Sequence, residues 1–166
     1  YSNRCYQSAV RQAFHNFAEK AEKEVRYTHA EDERLNEKLS RIIMHLPYAF
    51  QAKRMFPDIF RHDRMGTEMW AEMADQLGPM PAEHNSEDPQ IIEIWEKAMD
   101  GYRRAISKTP EYLAFHESRI EKGQRASSLI GNQYTGSIFL ALMSTFESDL
   151  EENCNLDNAL FGLCGY

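Results

Sequence analysis

Two short apolar runs lie far apart in a chain whose other apolar residues are mostly spaced for helices. The first, "RIIMHLPY", ends around Pro47, and the second is the terminal stretch "NALFGLCGY". Runs of this length and composition are typical of buried strands. Because two or three such strands would be poorly covered alone, we expect a helix-rich α/β protein in which they belong to a larger sheet.

Helical patterns fill the remainder of the first third of the chain. The spacing of apolar residues predicts a helix from about Cys5 to Val25 that packs by one face. The charged segment after it is either a helical turn or a solvated connection, with Leu35 and Leu39 as its only strong anchors. Pro47 suits a first helical position, so a helix is expected through Met55, and Pro57 should break it or start another.

Three further helices carry recognisable boundary signals. The short helix in "GTEMWAEMADQLG" should stop at Gly78. The next helix has Asp88 as its cap and the following proline at its first position. Thr109 and Pro110 repeat that start signal, and the helix that they begin should end at Gly123.

Composition and charge limit the classes of protein that this chain can represent. With 166 residues, of which 42% are hydrophobic, the chain should form one domain over residues 1–166. A net charge of -7 argues against nucleic-acid partners. The three cysteines and the histidines lack metal-ligand spacing, so we expect no metal, and the odd cysteine count suits the cytoplasm. The apolar stretches are too short to cross a bilayer.

The stretch "IGNQYTGSIF" places small polar residues just before the most apolar part of the chain. One explanation is mechanical: Thr135 or Ser137 caps a helix, while Gly131 and Gly136 permit unusual backbone geometry. The other is chemical: the Asn132 amide and free N–H groups at a helix N-terminus can bind a carbonyl or an anion. The local sequence leaves both explanations open.

Other residues are candidates for chemistry, each beside a simpler structural explanation. His45 lies where a strand meets the next helix, the place at which α/β enzymes put site residues, but a lone histidine can equally be a core or surface group. Lys53 and Arg54 suit a phosphate, or simply face water. Cys164 is either a nucleophile or a small packed hydrophobe.

Two motifs in combination favour one family. "MHLPYAFQAKRM" is followed by "LIGNQYTGSIFLALMSTFE" and then by a strand into "LCGY", and this order resembles the C-terminal half of 3-hydroxy-3-methylglutaryl-CoA synthase. The opening "YSNRCYQSAVRQAFHNF" is also similar to that family, so the resemblance spans nearly the whole chain. The GNxYTxS block is the more specific of the two motifs.

This resemblance implies a thiolase-like fold, usually paired as a homodimer, and an acyltransferase of the mevalonate route to isoprenoids. In that family acetyl-CoA acylates a cysteine, a glutamate removes a proton from the acetyl methyl, and the carbanion attacks the ketone of acetoacetyl-CoA. By resemblance, His45 polarises the acetoacetyl group, Asn132 hydrogen-bonds to it and Tyr134 lines the pocket. Lys53 is the first basic residue able to meet the CoA phosphate. The two CoA substrates are expected, and no other cofactor.

The resemblance also implies that the nucleophilic cysteine and the glutamate base precede this sequence. Cys5, Cys154 and Cys164 do not match the family's nucleophile motif, so we expect a part of a synthase that is inactive alone. Phe50 stands where many members carry lysine, which keeps open a related branch of synthases whose acceptor is a carrier-protein-bound polyketide. The remaining alternative is a noncatalytic helical interaction module.

Overall fold

The computed structural model describes residues 2–23, 34–46, 48, 51–131 and 133–165. Within these residues the chain forms α-helices and two β-strands. The helices are α1 (Ser2–Lys23), α2 (Leu35–Lys38), α3 (Gln51–Arg64), α4 (Glu68–Leu77), α5 (Pro89–Ile106), α6 (Pro110–Arg119), α7 (Glu121–Ile130) and α8 (Ser137–Glu151). The strands are β1 (Arg41–Met44) and β2 (Phe161–Cys164), and a 3-10 turn (Tyr134–Gly136) precedes α8.

The two strand-like runs of the sequence pair with each other in parallel. The register aligns Arg41 with Phe161 and Met44 with Cys164. One further backbone bond, from His45 N–H to the Cys164 carbonyl at 2.9 Å, continues the pairing past the end of β1. The prediction of a helix-rich α/β protein is therefore confirmed, and the carboxyl ends of both strands meet at the edge beside His45.

The sequence signals for helix starts are mostly confirmed. The side chains of Thr67, Asp88 and Thr109 each accept a backbone N–H in the first turn of α4, α5 and α6. The predicted packing face of α1 includes Val10 and Ala21, which are buried, and Phe17, which is 41% exposed. The expected end of that helix at Val25 and the charged segment up to residue 33 lie outside the described residues.

An aromatic cluster forms the centre of the core between α3 and α6. Phe56, Phe60 and Tyr112 are almost completely buried. Phe56 stacks on Phe115 with ring centroids 5.4 Å apart, and Phe60 meets Tyr112 edge-on at 5.3 Å. Offset and edge-on arrangements are the favourable geometries for aromatic rings, so this cluster fixes α6 against α3.

The prediction that Pro57 breaks the helix is wrong, because α3 continues through it. A proline in a helix removes the hydrogen bond to the carbonyl four residues earlier, which here belongs to Lys53. The buried Tyr112 hydroxyl donates to that carbonyl at 3.2 Å. A side chain from α6 thus replaces the missing N–H, which is a tertiary compensation that the local sequence does not reveal. The predicted helix start at Pro47 lies outside the described residues.

Gly123 does not end a helix as predicted, since it lies inside α7. Early residues of α7 contact late residues of α8, so the two helices run antiparallel. A Cβ atom on Gly123 would lie 3.3 Å from Thr145 Oγ1 and 3.6 Å from Ala141 Cβ. The glycine therefore permits close approach of α7 and α8, while the break between α6 and α7 falls at Ile120.

One side of α8 carries exposed apolar side chains. Phe139, Met143 and Leu150 are each more than 60% exposed, although the opposite side of the helix is buried through Ala141 and Thr145. Exposed apolar surface of this kind is commonly covered by other protein. None of the described helices is long and apolar enough to cross a membrane.

We predict that Tyr112→Phe lowers the free energy of unfolding by about 1–3 kcal/mol, because it leaves the partly buried Lys53 carbonyl without a donor. Urea unfolding measures the loss. In a Pro57→Ala background the helix regains its own N–H at that position, so the same Tyr112→Phe change should cost less. Equal losses in the two backgrounds would contradict the compensation.

Candidate functional site

The two sequence motifs that lie 92 residues apart meet in one hydrogen-bonded contact. Ser137, the first residue of α8, places its Oγ 2.9 Å from His45 Nδ1. The same Oγ accepts the backbone N–H of Leu46 at 3.1 Å. Ser137 is 1% exposed, and His45 is partly buried. The contact joins the beginning of α8 to the carboxyl end of β1, where the sequence predicted a site.

The predicted capping role of Thr135 or Ser137 is wrong. The N-cap of α8 is Gly136, and no side chain caps the helix. The Ser137 hydroxyl serves the end of β1 instead of its own helix, and Thr135 is exposed in the 3-10 turn. The first residue of α8 is therefore bonded to the segment that follows β1.

The other predicted substrate-binding residues on this side of the site are only partly described. Asn132 lies outside the described residues. Tyr134 lies three residues before Ser137, is 77% exposed and has a left-handed backbone with φ of 49°. That conformation is uncommon for an aromatic residue and is often found at functional positions. The assignment of both residues to substrate binding stays a prediction.

Lys53 lies on α3, and the contacts described for it are with α6. Its carbonyl accepts from Tyr112, and burial together with the positive charge of Lys53 lowers the pKa of His116 to about 4. His116 is therefore neutral near neutral pH, and the Gln124 side-chain amide donates to its Nε2 at 2.7 Å. The described contacts thus connect Lys53 to a buried structural histidine, and its predicted contact with a CoA phosphate stays a prediction.

Asp149 anchors the far end of α8, and sequence reasoning missed it. Its carboxylate is fully buried and accepts from Arg41 Nε at 3.0 Å and from Lys122 Nζ at 2.7 Å. It thereby connects α8 to the first residue of β1 and to α7. The span "LALMSTFESDL" contains two acidic residues, Glu147 and Asp149, and the sequence alone did not distinguish the buried Asp149 from the exposed Glu147.

The pKa of Asp149 reflects these opposing effects. Burial by itself raises the pKa of this carboxyl, but the hydrogen bonds and charges of Arg41 and Lys122 outweigh burial and hold the pKa below its usual value. The same pairing raises the pKa of the Arg41 guanidinium. The group therefore stays ionised and paired across the neutral range.

The described cysteines, Cys154 and Cys164, lie apart from any metal-binding cluster of described residues. Among the described residues, no group of three or more histidine, cysteine or acidic side chains is arranged to hold a metal ion. Burial raises the pKa of the Cys164 thiol to about 11, so this thiol is almost entirely protonated near neutral pH. Cys154 lies 3.5 Å from Lys122 Nζ.

Comparison with known proteins defines the class to which this fold and site belong. The family described as hydroxymethylglutaryl-coenzyme A synthase C terminal matches residues 1–161. Because the match covers almost the whole sequence, the chain belongs to this family. The helix-rich α/β architecture is accordingly that of the C-terminal portion of a thiolase-like fold.

The chain is also similar to one particular curated protein. Hydroxymethylglutaryl-CoA synthase of Haloferax volcanii is 28% identical to this chain over 111 residues, which cover 67% of this chain and 24% of that protein. The chain thus corresponds to a small share of its relative. No solved structure matches this chain.

We predict that Asp149→Asn lowers the free energy of unfolding by about 3–5 kcal/mol, because Arg41 and Lys122 lose their buried counter-charge. Since the folded pKa is lowered, the contribution of Asp149 is fully present above the ordinary pKa of about 3.9 and is lost as the pH falls through the lower folded value.

Urea unfolding midpoints measured from neutral to strongly acidic pH check both parts. The variant should lose part of the acid dependence of the unaltered chain. Glu151→Gln is the matched control, because it removes a carboxylate that pairs with Arg125 on the exposed side of the same helix. A similar small effect of both substitutions would show that Asp149 does not anchor α8.

Proposed function

We propose that this chain provides the acceptor side of a hydroxymethylglutaryl-CoA synthase, which condenses acetyl-CoA with acetoacetyl-CoA. The observation that carries the proposal is the contact between Ser137 and His45, because it unites the two motifs on which the family resemblance rests. Membership of the family and the similarity to the Haloferax volcanii synthase support the same conclusion.

The chemistry of the condensation explains why a histidine belongs at this position. An acetyl group on a cysteine loses a methyl proton to a glutamate base, and the resulting carbanion attacks the ketone of acetoacetyl-CoA. The new carbon–carbon bond turns the ketone oxygen into an alkoxide, and hydrolysis then releases the product from the cysteine. A positioned N–H donor stabilises that oxygen during attack. In comparable sites one such donor stabilises the transition state by about 3–4 kcal/mol.

In this proposal each predicted site residue has a defined role. His45 donates a hydrogen bond to the ketone oxygen and stabilises the alkoxide as it forms. The Asn132 amide holds the same acceptor, Tyr134 borders it, and Lys53 contacts the CoA phosphates. In the proposal, the cysteine nucleophile and the glutamate base belong to a part of the synthase outside this chain, as the family resemblance implies.

The carrier-protein alternative differs from this proposal only in the group that bears the acceptor. A carrier domain presents a phosphopantetheine-linked β-ketoacyl group without the adenosine phosphates of CoA. Phe50 stands at a position where many members of the family carry lysine, and we expect this position to lie near the adenosine phosphates of CoA. Activity measured with each acceptor therefore distinguishes acetoacetyl-CoA from a carrier-bound β-ketoacyl group.

We predict that His45→Ala in the complete synthase containing this chain lowers kcat by about 100-fold or more, because the developing alkoxide loses its donor. Loss of the enolate absorbance of acetoacetyl-CoA on addition of acetyl-CoA measures the rate. Acetylation of the enzyme by acetyl-CoA, followed by mass spectrometry, should be unchanged, since His45 acts on the second substrate.

Lys97→Gln is the control for this experiment, because it removes an exposed positive charge on α5 and should leave the rate unchanged. Consumption of a carrier-bound β-ketoacyl group in place of acetoacetyl-CoA would assign the alternative acceptor. An active synthase whose rate is unaffected by His45→Ala would overturn the proposed role. A protein inactive towards both acceptors would favour the noncatalytic module.

We also predict that this chain alone forms no acetyl-cysteine on incubation with acetyl-CoA. The physical reason is strongest for Cys164, whose raised pKa of about 11 keeps the thiol protonated near neutral pH. Intact-mass measurement before and after incubation tests this, with iodoacetamide labelling in denaturant as the control that the thiols are reduced. An acetyl adduct on any of the three cysteines would contradict the prediction.

A further inference from the structure

The hydrogen bonds of the Ser137 hydroxyl limit which ring nitrogen of His45 can carry a proton. A serine hydroxyl has one proton to donate and two lone pairs with which to accept. The Leu46 N–H can only donate, so the 3.1 Å bond between them makes Ser137 Oγ an acceptor there. The hydroxyl proton is thereby left for a second partner.

Among the described residues, His45 Nδ1 is the other polar atom bonded to Ser137 Oγ, at 2.9 Å. Ser137 is 1% exposed, so its proton has little access to water. If Nδ1 carried a proton, Oγ would accept two bonds and its own buried proton would lose this partner, which is costly in a buried site. The favoured arrangement therefore has Ser137 O–H donating to an unprotonated Nδ1.

We propose that Ser137 is a positioning residue that holds His45 in the tautomer with the proton on Nε2. In a neutral imidazole one nitrogen is a donor and the other an acceptor, so fixing Nδ1 as the acceptor makes Nε2 the donor. This proposal rests on the proposed function for its catalytic meaning. A condensation that needs an N–H donor at the ketone oxygen requires one defined imidazole nitrogen to carry the proton.

The elements that hold Ser137 make this control rigid. Ser137 begins α8, a helix whose other end is attached to β1 and α7 through the buried Asp149. His45 directly follows β1, and its N–H is bonded to the Cys164 carbonyl at 2.9 Å. Backbone or buried contacts thus hold the segments that carry Ser137 and His45. The 2.9 Å bond between Ser137 Oγ and His45 Nδ1 therefore joins two fixed parts of the fold.

The experiment is nitrogen-15 NMR of this chain labelled at the histidine ring nitrogens, recorded above the ordinary histidine pKa of about 6.5. His45 signals are assigned by their disappearance in His45→Gln. We expect Nε2 to give a pyrrole-type signal and Nδ1 a pyridine-type signal in the unaltered chain. A pyrrole-type signal from Nδ1 would overturn the proposal without use of any Ser137 variant.

Two variants then separate positioning from a purely structural role. Ser137→Thr keeps the hydroxyl and should keep the Nε2–H tautomer, whereas Ser137→Ala should give a mixture or the opposite tautomer. Far-UV circular dichroism establishes that each variant is folded. A folded Ser137→Ala chain with an unchanged tautomer would show that Ser137 only supports the Leu46 backbone, and would refute the proposal.

Kinetics in the complete synthase connect the tautomer to the reaction. Ser137→Ala should lower kcat with acetoacetyl-CoA by about tenfold to 100-fold, with acetylation by acetyl-CoA unchanged and with recovery in Ser137→Thr. A confirmed tautomer without any effect on kcat would reject the catalytic meaning and leave the assignment of the tautomer intact. The failure of the proposed function is thus distinguishable from the failure of the inference.

Discussion

The arrangement of the candidate site depends on the ion pairs that the buried Asp149 carboxylate forms. This carboxylate joins Arg41 at the start of β1, Lys122 on α7 and its own helix, α8. A buried charge is costly unless it is paired, so separating any one of these three elements from the others would be unfavourable. Once α8 lies against the sheet in this register, Ser137 at its other end reaches the residue that follows β1.

The candidate site accordingly combines two residues that are distant in sequence, and different contacts hold each of them. His45 takes its position from the pairing of β1 and β2, whereas Ser137 takes its position from the docking of α8. Gly123 contributes to the packing of α8, since it lets α7 approach α8 closely beside Ala141 and Thr145. Within "IGNQYTGSIF", the Ser137 hydroxyl contacts His45 and Leu46, which follow β1, and does not cap its own helix.

Local sequence signals predicted the elements better than the contacts between them. The caps at Asp88 and Thr109 were recognisable because a capping side chain acts within one turn. His45 was recognisable from the end of an apolar run. By contrast, the continuation of α3 through Pro57, the burial of Gly123 and the pairing of Asp149 each depend on a partner from another helix, and a single sequence does not identify such partners.

The proline within α3 has a consequence for how this protein opens locally. A helix normally supplies its own hydrogen bonds, but the Lys53 carbonyl of α3 receives its donor from Tyr112 on α6. Fraying of α6 therefore also removes a bond of α3, and the stacked rings of Phe56 and Phe115 link the same two helices. The two helices form one cooperative unit, whose backbone amides should exchange with solvent through a shared opening event.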